Sequence, residues 1–271
     1  MNKESKPIGI FDSGIGGLTV LKEICKKLSN ENTVYLGDTA RVPYGIRSPE
    51  TVTRYSMENT KFLSSKGVKM IVVACNTASS VSLEGIRNSV PVPFVGVIEP
   101  GAKAAVSATR NKKIGVIGTE ATIKSNSYAR AIMKIDNSIE VFGMACPLFV
   151  PLVEEGWTEG KIAEMIAGEY LKEIKRKDID TLVLGCTHYP LLKGILSEVM
   201  GERVSLIDSA IETAREIEKI LADLSLLNMS GGNAFREFYV TDSPDKFKAI
   251  GERFLGEPIY HIKKIKLEME V

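Results

Sequence analysis

The sequence contains two matched stretches, each an apolar run that ends in a cysteine followed by small polar residues. In the first stretch the run 72–74 precedes Cys75, and in the second the run 182–185 precedes Cys186, which lies 111 residues further along the chain. Apolar runs of this length that are rich in Val, Ile and Leu are typical of strands buried within a parallel sheet. We therefore expect each cysteine where a strand ends and a helix begins.

Strand-like and helix-like segments alternate along the chain. Short apolar segments alternate with stretches of helical spacing, for which we predict, among others, helices at 78–88 and 101–109. Because parallel strands must be joined by crossovers, this alternation predicts an α/β fold with helices on both faces of doubly wound, flavodoxin-like parallel sheets. Ligands of such sheets bind beyond the carboxyl ends of the strands, where Asp12, Asp38 and Cys75 are expected.

The chain also repeats its opening pattern. Residues 6–13 and 112–119 share a basic start, an Ile-Gly core and a polar end, and 63 residues separate Asp12 from Cys75 where 67 separate Thr119 from Cys186. This is typical of an internal duplication. We predict two pseudo-symmetric domains with the active site in the cleft between them. The first comprises 1–97 together with 209–271, which packs back on it, and the second comprises 98–208.

Composition excludes several classes of protein. Among 271 residues, 44% are hydrophobic and 25% are charged, which is ordinary for a soluble globular protein. Thirty-five Lys and Arg against 34 Asp and Glu leave a net charge of +1, so no broad basic field predicts nucleic-acid binding. No apolar run approaches a membrane span and the first six residues resemble no signal peptide, so we expect no membrane association and a cytoplasmic location.

Four cysteines, Cys25, Cys75, Cys146 and Cys186, are too few for a disulfide scaffold, and free thiols are expected. Cys25 fits a packed helix residue, as Cys146 does less clearly. Cys75 and Cys186 differ because a helix start lowers the pKa of a thiol, which predicts reactivity. With no CxxC motif at either cysteine and two histidines in the chain, we predict no metal site.

Other polar residues near the strand ends have two interpretations each. The glycine turn at 12–17 has Thr19 where a dinucleotide fingerprint needs Gly or Ala, so it is better explained as a tight turn whose N–H groups could hold a carboxylate. His188 is either a general acid or base or a packed ring, and Asp12 either shuttles protons or forms the turn. Taken alone, Glu154 fits a solvated side chain.

Two equivalent thiols on opposite walls of a cleft suit the inversion of a carbon centre. One base removes a proton from one face of the carbon while an acid delivers a proton to the other face, and the roles exchange in the reverse reaction.

The whole chain resembles bacterial glutamate racemase, of the cofactor-independent aspartate/glutamate racemase superfamily. The resemblance rests on four motifs: Ile10–Gly17, Asp38–Gly45, Ala74–Ser79 and Gly185–Pro190. Gly118, Thr119, Thr122 and residues 151–156 give weaker support.

The resemblance implies interconversion of L- and D-glutamate without pyridoxal phosphate or another cofactor, to supply D-glutamate for peptidoglycan. It implies that Cys75 and Cys186 are the acid/base pair, with Asp12 beside the first thiol, His188 beside the second and Glu154 assisting. It also implies a homodimer and a set of polar substrate contacts: Asp12, Ser13, Tyr44, Gly45, Asn76, Thr77, Thr119, Thr187 and His188. Three alternatives stay open, namely an aspartate racemase, a thiol redox protein and an amino-acid-binding module.

Overall fold

The chain, in a computed structural model that describes residues 2–231 and 234–267, contains two parallel β-sheets. The first sheet has six strands in the order β10-β9-β2-β1-β3-β4 and the second has four in the order β6-β5-β7-β8. The strands of the first sheet are β1 (Ile8–Asp12), β2 (Thr33–Gly37), β3 (Met70–Val73), β4 (Phe94–Gly96), β9 (Arg236–Val240) and β10 (Ile262–Lys264). Those of the second are β5 (Lys113–Gly118), β6 (Glu140–Ala145), β7 (Thr181–Gly185) and β8 (Ser205–Asp208).

Helices connect the strands, as a parallel sheet requires. They are α1 (Leu18–Lys27), α2 (Pro49–Ser65), α3 (Asn76–Val81), α4 (Leu83–Arg87), α5 (Ile98–Ala108), α6 (Glu120–Lys124), α7 (Ser127–Ile135), α8 (Phe149–Glu154), α9 (Lys161–Lys175), α10 (Lys193–Met200), α11 (Ser209–Asp223) and α12 (Pro244–Leu255). Short 3₁₀ turns occur at Lys3–Ser5, Tyr44–Ile46 and Tyr189–Leu192. No helix in the described part of the chain is both long and apolar enough to span a bilayer.

The strand order supports the predicted duplication. In the first sheet β1 lies between β2 and β3, with β4 beyond β3; in the second, β5 lies between β6 and β7, with β8 beyond β7. The third strand of each set therefore has the same neighbours, and it is β3 that leads to Cys75 and β7 that leads to Cys186. The predicted α/β class with two pseudo-symmetric parallel sheets is confirmed.

The central strands of both sheets are apolar because both of their faces are covered. All five residues of β1 and of β7 are buried, and the helices on either side bury mainly Leu, Ile and Val against them. Rigid, fully covered strands of this kind fix the positions of the loops that follow them, and these loops carry the polar residues of the cleft.

Two predicted helices differ from those observed. The helix predicted at 78–88 is interrupted at Ser82, whose hydroxyl donates to the Ala78 carbonyl at 2.7 Å and competes with the backbone. The helix predicted at 101–109 begins earlier, at Ile98, because Pro100 is tolerated in a first turn.

The C-terminal segment pairs with the first sheet. Strand β9 lies parallel to β2, with Thr33 opposite Arg236, and β10 extends the same edge. Residues 1, 232, 233 and 268–271 of the predicted first domain lie outside the described residues.

Candidate active site

A cavity of about 350 Å³ is bounded by loops at the carboxyl ends of both sheets. Both cysteines and nearly all the polar residues singled out in the sequence line it: Ser13, Tyr44, Gly45, Cys75, Asn76, Thr77, Thr119, Glu154, Cys186, Thr187 and His188. The structure therefore brings residues from distant parts of the sequence to one chamber. Asp12 and Asp38, which were also expected where ligands bind, do not line the cavity.

Cys75 precedes α3 and its side chain is 6% exposed. Its Sγ donates to the Ser13 hydroxyl at 3.6 Å. Burial raises the pKa of this thiol to about 12, the negative charge of Asp12 adds to the rise, and hydrogen bonds with the Ala78 N–H and Ser13 only partly oppose it. The expectation that a helix start lowers the pKa of Cys75 is wrong, because desolvation raises the pKa by more than the hydrogen bond with the backbone N–H lowers it.

Asp12 ends β1 beneath the first thiol and is 1% exposed. Its Oδ2 accepts a hydrogen bond from the Gly14 N–H at 2.8 Å, so the side chain forms the glycine turn, while Oδ1 has no partner. Burial raises the pKa of Asp12, although the backbone N–H groups of the turn and the charge of His188 oppose this. Asp12 thus lies outside the cavity wall, and its negative charge raises the pKa of the Cys75 thiol.

Cys186 faces the cavity from the second sheet with a histidine beside it. The Nδ1 of His188 lies 3.9 Å from the Cys186 Sγ, and its Nε2 lies 3.2 Å from the Glu154 Oε1. Burial lowers the pKa of His188, but the hydrogen bonds with Cys186 and Glu154 and the nearby negative charges raise it to about 10. The ring is therefore protonated at neutral pH and presents positive charge to the sulfur. The hydrogen bond from His188 lowers the pKa of Glu154, whose carboxylate is not merely solvated.

Helix α12, which follows β9 of the first sheet, supports His188 and Glu154 beside the second thiol. The Phe254 ring meets the His188 ring edge to face at 5.1 Å, and Arg253 donates to the Glu154 carbonyl at 2.5 Å. Gly16 approaches from the same sheet, so closely that a Cβ there would lie 2.2 Å from the Thr187 Oγ1.

Three threonine hydroxyls connect the two sides of the cavity. Thr77 follows Cys75, whereas Thr119 caps α6 and Thr122 lies in its first turn; their Oγ1 atoms lie 3.0 Å (77 to 119), 3.0 Å (119 to 122) and 3.4 Å (77 to 122) apart. Gly45 packs on the same cluster, since a Cβ there would lie 2.9 Å from the Thr119 Cβ. These contacts form a polar wall that both sheets share.

The hydroxyl of Tyr44 is directed into the protein. It donates to Asp38 Oδ2 and accepts from the Asn59 amide at 3.1 Å, and Arg41 donates to the same Asp38 oxygen at 2.7 Å. Burial raises the pKa of Asp38, which Arg41 opposes. The network holds the loop 42–46 against the cavity, so Tyr44 supports this wall through a hydroxyl that is already satisfied.

Several lining residues were not singled out in the sequence: Gly14, Ile15, Val42, Pro43, Ile46, Glu120, Pro147, Val150 and Pro151. Most are apolar, and apolar residues give no chemical signal in a sequence. Their positions in the sequence do give a signal. Residues 42–46 surround Tyr44 and Gly45, and Pro147 follows the end of β6 at the same edge of the second sheet.

All four cysteines are free, as expected. In the ranges that the structure describes, no group of three or more His, Cys, Asp and Glu side chains is arranged to hold a metal ion. Among the described residues that line the cavity there is no lysine or arginine. The chamber thus combines two thiols, a protonated imidazole and several hydroxyl and amide groups.

The sequence also matches a family model, that of Asp/Glu/hydantoin racemase, over residues 11–217. The chain therefore belongs to this racemase family, and it is an isomerase.

Within that family, glutamate racemases are among the proteins similar to this chain. One from Geobacter metallireducens is 53% identical over 265 residues, covering 98% of this chain and 98% of that protein. The crystal structure of glutamate racemase from Francisella tularensis in complex with D-glutamate has a TM-score of 0.92 at 39% identity and covers 98% of this chain and 99% of that one. The crystal structure of a glutamate racemase isoform from Bacillus anthracis has a TM-score of 0.95 at 40% identity, and the match covers 98% of this chain and 100% of that one.

Proposed function

We propose that the protein interconverts L- and D-glutamate by proton transfer at Cα, with Cys75 and Cys186 as the two bases and no cofactor. The observation that carries the proposal is that two cysteines, each following the third strand of a repeated four-strand unit, line one cavity from opposite sheets. The relatives named above are glutamate racemases, and one was solved with D-glutamate bound, which supports glutamate as the substrate.

In the proposed reaction one sulfur is a thiolate and the other a thiol. The thiolate takes the Cα proton, forming an S–H bond as the Cα–H bond breaks, and the pair of electrons stays on the substrate as a carbanion. The opposite thiol then gives its proton to the other face of Cα and becomes a thiolate. Atoms and charge balance within the site, and the reverse reaction begins from the state so produced.

The surroundings of the two sulfurs differ in charge. Cys75 is buried, has a raised pKa and lies beside Asp12, which favours the thiol. Beside Cys186 the protonated His188 supplies positive charge 3.9 Å away, and Glu154 holds the ring from its other nitrogen. We assign Asp12 and His188 as proton-relay partners of the first and second thiol, and Glu154 as the residue that orients His188.

Glutamate carries two carboxylates, and the described cavity wall offers them neutral donors in place of lysine or arginine. Ser13, Thr77, Thr119 and Thr187 bring hydroxyls, and Asn76 brings an amide nitrogen that is buried without a partner. Fixed dipoles of this kind stabilise negative charge that develops at Cα without reorganising during the reaction. We include Tyr44 and Gly45 in the proposed contact set through the loop wall that they form.

The further assignments follow from the proposed reaction. D-Glutamate would be supplied for peptidoglycan, and we expect a cytoplasmic homodimer. We also propose a division into 1–97 with 209–271 and 98–208, because the strands of the two sheets come from these stretches.

The decisive experiment compares Cys75→Ser and Cys186→Ser with Cys25→Ser, a matched control on α1 away from the cavity. Circular dichroism follows racemisation of each enantiomer of glutamate and of aspartate. We expect both active-site variants to lose at least about 1000-fold in kcat while melting like the wild type, and the control to keep its rate, because each removed thiol is a required acid or base.

Full activity in either active-site variant would overturn the two-thiol mechanism. Faster turnover of aspartate by the wild type would make the protein an aspartate racemase. Binding of glutamate without change of optical rotation would indicate a binding module, and activity that required a disulfide would indicate a redox protein.

A further inference from the structure

Asn76 borders the cavity next to Cys75, and one side of its amide is held by the opposite sheet. The phenol of Tyr128, which lies on α7 of the second sheet, donates to the Asn76 Oδ1 at 2.7 Å. Asn76 is 3% exposed and Tyr128 is 2% exposed, so this hydrogen bond is shielded from water. It joins the loop of the first thiol to the second sheet.

The other side of the same amide is unsatisfied. The Asn76 Nδ2 is buried and has no hydrogen-bond partner, although buried amides rarely leave a donor unused. A free donor in a residue that lines a substrate cavity is expected to serve a ligand oxygen. A buried donor without a partner costs free energy, and a ligand oxygen that accepts from it offsets that cost.

The direction of the Tyr128 hydrogen bond decides which end of the amide remains free. Burial raises the pKa of Tyr128 above its usual value, so the phenol keeps its proton at neutral pH. The phenol hydrogen is therefore available to the Asn76 Oδ1, which accepts it at 2.7 Å. The opposite amide orientation would place an oxygen where the substrate has carboxylates.

Packing holds the Tyr128 ring in place. Gly185, the last residue of β7, has no Cβ to obstruct the ring, for a Cβ there would lie 3.1 Å from Tyr128 Cε2; at Gly101 a Cβ would lie 3.3 Å from Cε1. The ring is thus fixed between α5 and the strand that leads to Cys186.

We infer that Tyr128 is a positioning residue of the racemase: it orients the Asn76 amide so that Nδ2 points at a carboxylate of the bound amino acid. Tyr128 does not touch the substrate itself. The inference rests on the proposed function, because it concerns how that site holds a carboxylate. It assigns a binding role to a tyrosine in the first turn of α7, 52 residues from its partner.

The test is Tyr128→Phe, which removes only the hydroxyl. We expect KM for both enantiomers to rise about fivefold to tenfold, the effect of one misplaced hydrogen bond, with kcat within about twofold of the wild type. Because enantiomers have equal free energy in water, kcat/KM must fall by the same factor in both directions.

A matched control makes the same chemical change elsewhere. Tyr239→Phe also removes a tyrosine hydroxyl that donates to a side chain, in this case Glu237 at 2.6 Å. Tyr239 lies in the first sheet away from the cavity, so its substitution should leave KM unchanged. The double-mutant cycle with Asn76→Ala is the sharper arm. If Tyr128 acts through Asn76, adding Tyr128→Phe to Asn76→Ala raises KM no further.

Equal KM values for Tyr128→Phe and Tyr239→Phe, or a further rise in the Asn76→Ala background, would overturn the inference. The shift of the melting temperature with L- or D-glutamate, measured in parallel, reports binding independently of turnover. If the wild type did not racemise glutamate, the proposed function would fail, while a smaller ligand-induced shift in Tyr128→Phe would still support the positioning role and an equal shift would refute it. Should Tyr128→Phe melt early, the same comparison of glutamate binding is made by isothermal titration calorimetry below its melting transition.

Discussion

Gly16 lies close to Thr187 and His188, the two residues that follow Cys186, and Gly16→Ala should separate activity from folding. A Cβ at this position would lie 2.2 Å from the Thr187 Oγ1 and 2.6 Å from both the Cε1 and Nδ1 of His188, where ordinary contact begins at 3.4 Å. Gly16 does not have a positive φ, so alanine brings no backbone strain. The cost comes from crowding alone.

The size of the effect follows from the displacement that the new methyl requires. Thr187 and His188 must retreat by about 1 Å, and His188 has little room because the Phe254 ring meets it at 5.1 Å. Overpacking of this kind costs about 1–3 kcal/mol of stability. A misplacement of about 1 Å in a catalytic group lowers rates by about 100-fold. We therefore expect kcat/KM to fall about 100-fold and the melting temperature by about 2–6 °C.

The assay is racemisation followed by circular dichroism, with thermal melting of the same samples. Gly168→Ala is the matched control, because a Cβ at this position of α9 meets nothing within 4 Å. It should stabilise the protein by about 0.5–1 kcal/mol and leave kcat/KM unchanged. Wild-type kcat/KM in Gly16→Ala would refute the tight closure of the cleft around His188.

Three further perturbations test other buried groups. His188 has a pKa of about 10 in the folded protein against 6.5 in the unfolded chain, so its stabilising contribution is full below pH 6.5 and is lost as the pH rises to about 10. The free energy of unfolding of the wild type, measured with urea, should therefore exceed that of His188→Gln by an amount that shrinks across that pH range. Lys69→Met should cost about 3–5 kcal/mol because it leaves Glu31, its buried partner at 2.5 Å, without a counter-charge, whereas adding Glu31→Leu should recover part of the loss. Arg41→Met should raise KM and lower the free energy of unfolding, measured with urea, by about 3 kcal/mol, because the buried Asp38 then has no counter-charge from Arg41.

Each of these has an outcome that would contradict it. An excess stability that grows with pH would mean that His188 is neutral in the folded protein. If Lys69→Met melted like the wild type, water would have to reach Glu31. Unchanged KM in Arg41→Met would mean that the loop 42–46 keeps its position without the Asp38 network.

The fold was largely predictable because its signals are local. A strand covered on both faces must be apolar along its whole length, so β1, β3 and β7 are visible as continuous runs, and the cysteines after the last two mark equivalent strand ends. The extent of α5 was less visible, since Pro100 looks like a helix boundary but is tolerated in a first turn.

Features of the site that depend on distant neighbours could not be predicted in the same way. The pKa of Cys75 is raised mainly by burial, which no residue near it in the sequence reveals. Tyr128 looks like an ordinary core residue of an amphipathic helix, and only the approach of the two sheets brings it to Asn76. Asp12 was placed correctly at a strand end, but whether its oxygens reach a ligand or the Gly14 N–H depends on the path of the turn.

The pairing of β9 with β2 affects the order in which the molecule can assemble during synthesis. All four strands of the second sheet come from residues 113–208. In the first sheet, the outer edge of β2 is covered only after β9 has been synthesised, because Thr33 of β2 pairs with Arg236 of β9. A nascent chain therefore presents a complete second sheet while the first still has an open parallel edge, which is a site for pairing with other chains. Loss or late arrival of the C-terminal strands would thus favour aggregation, even though these strands contribute no residue to the cavity wall.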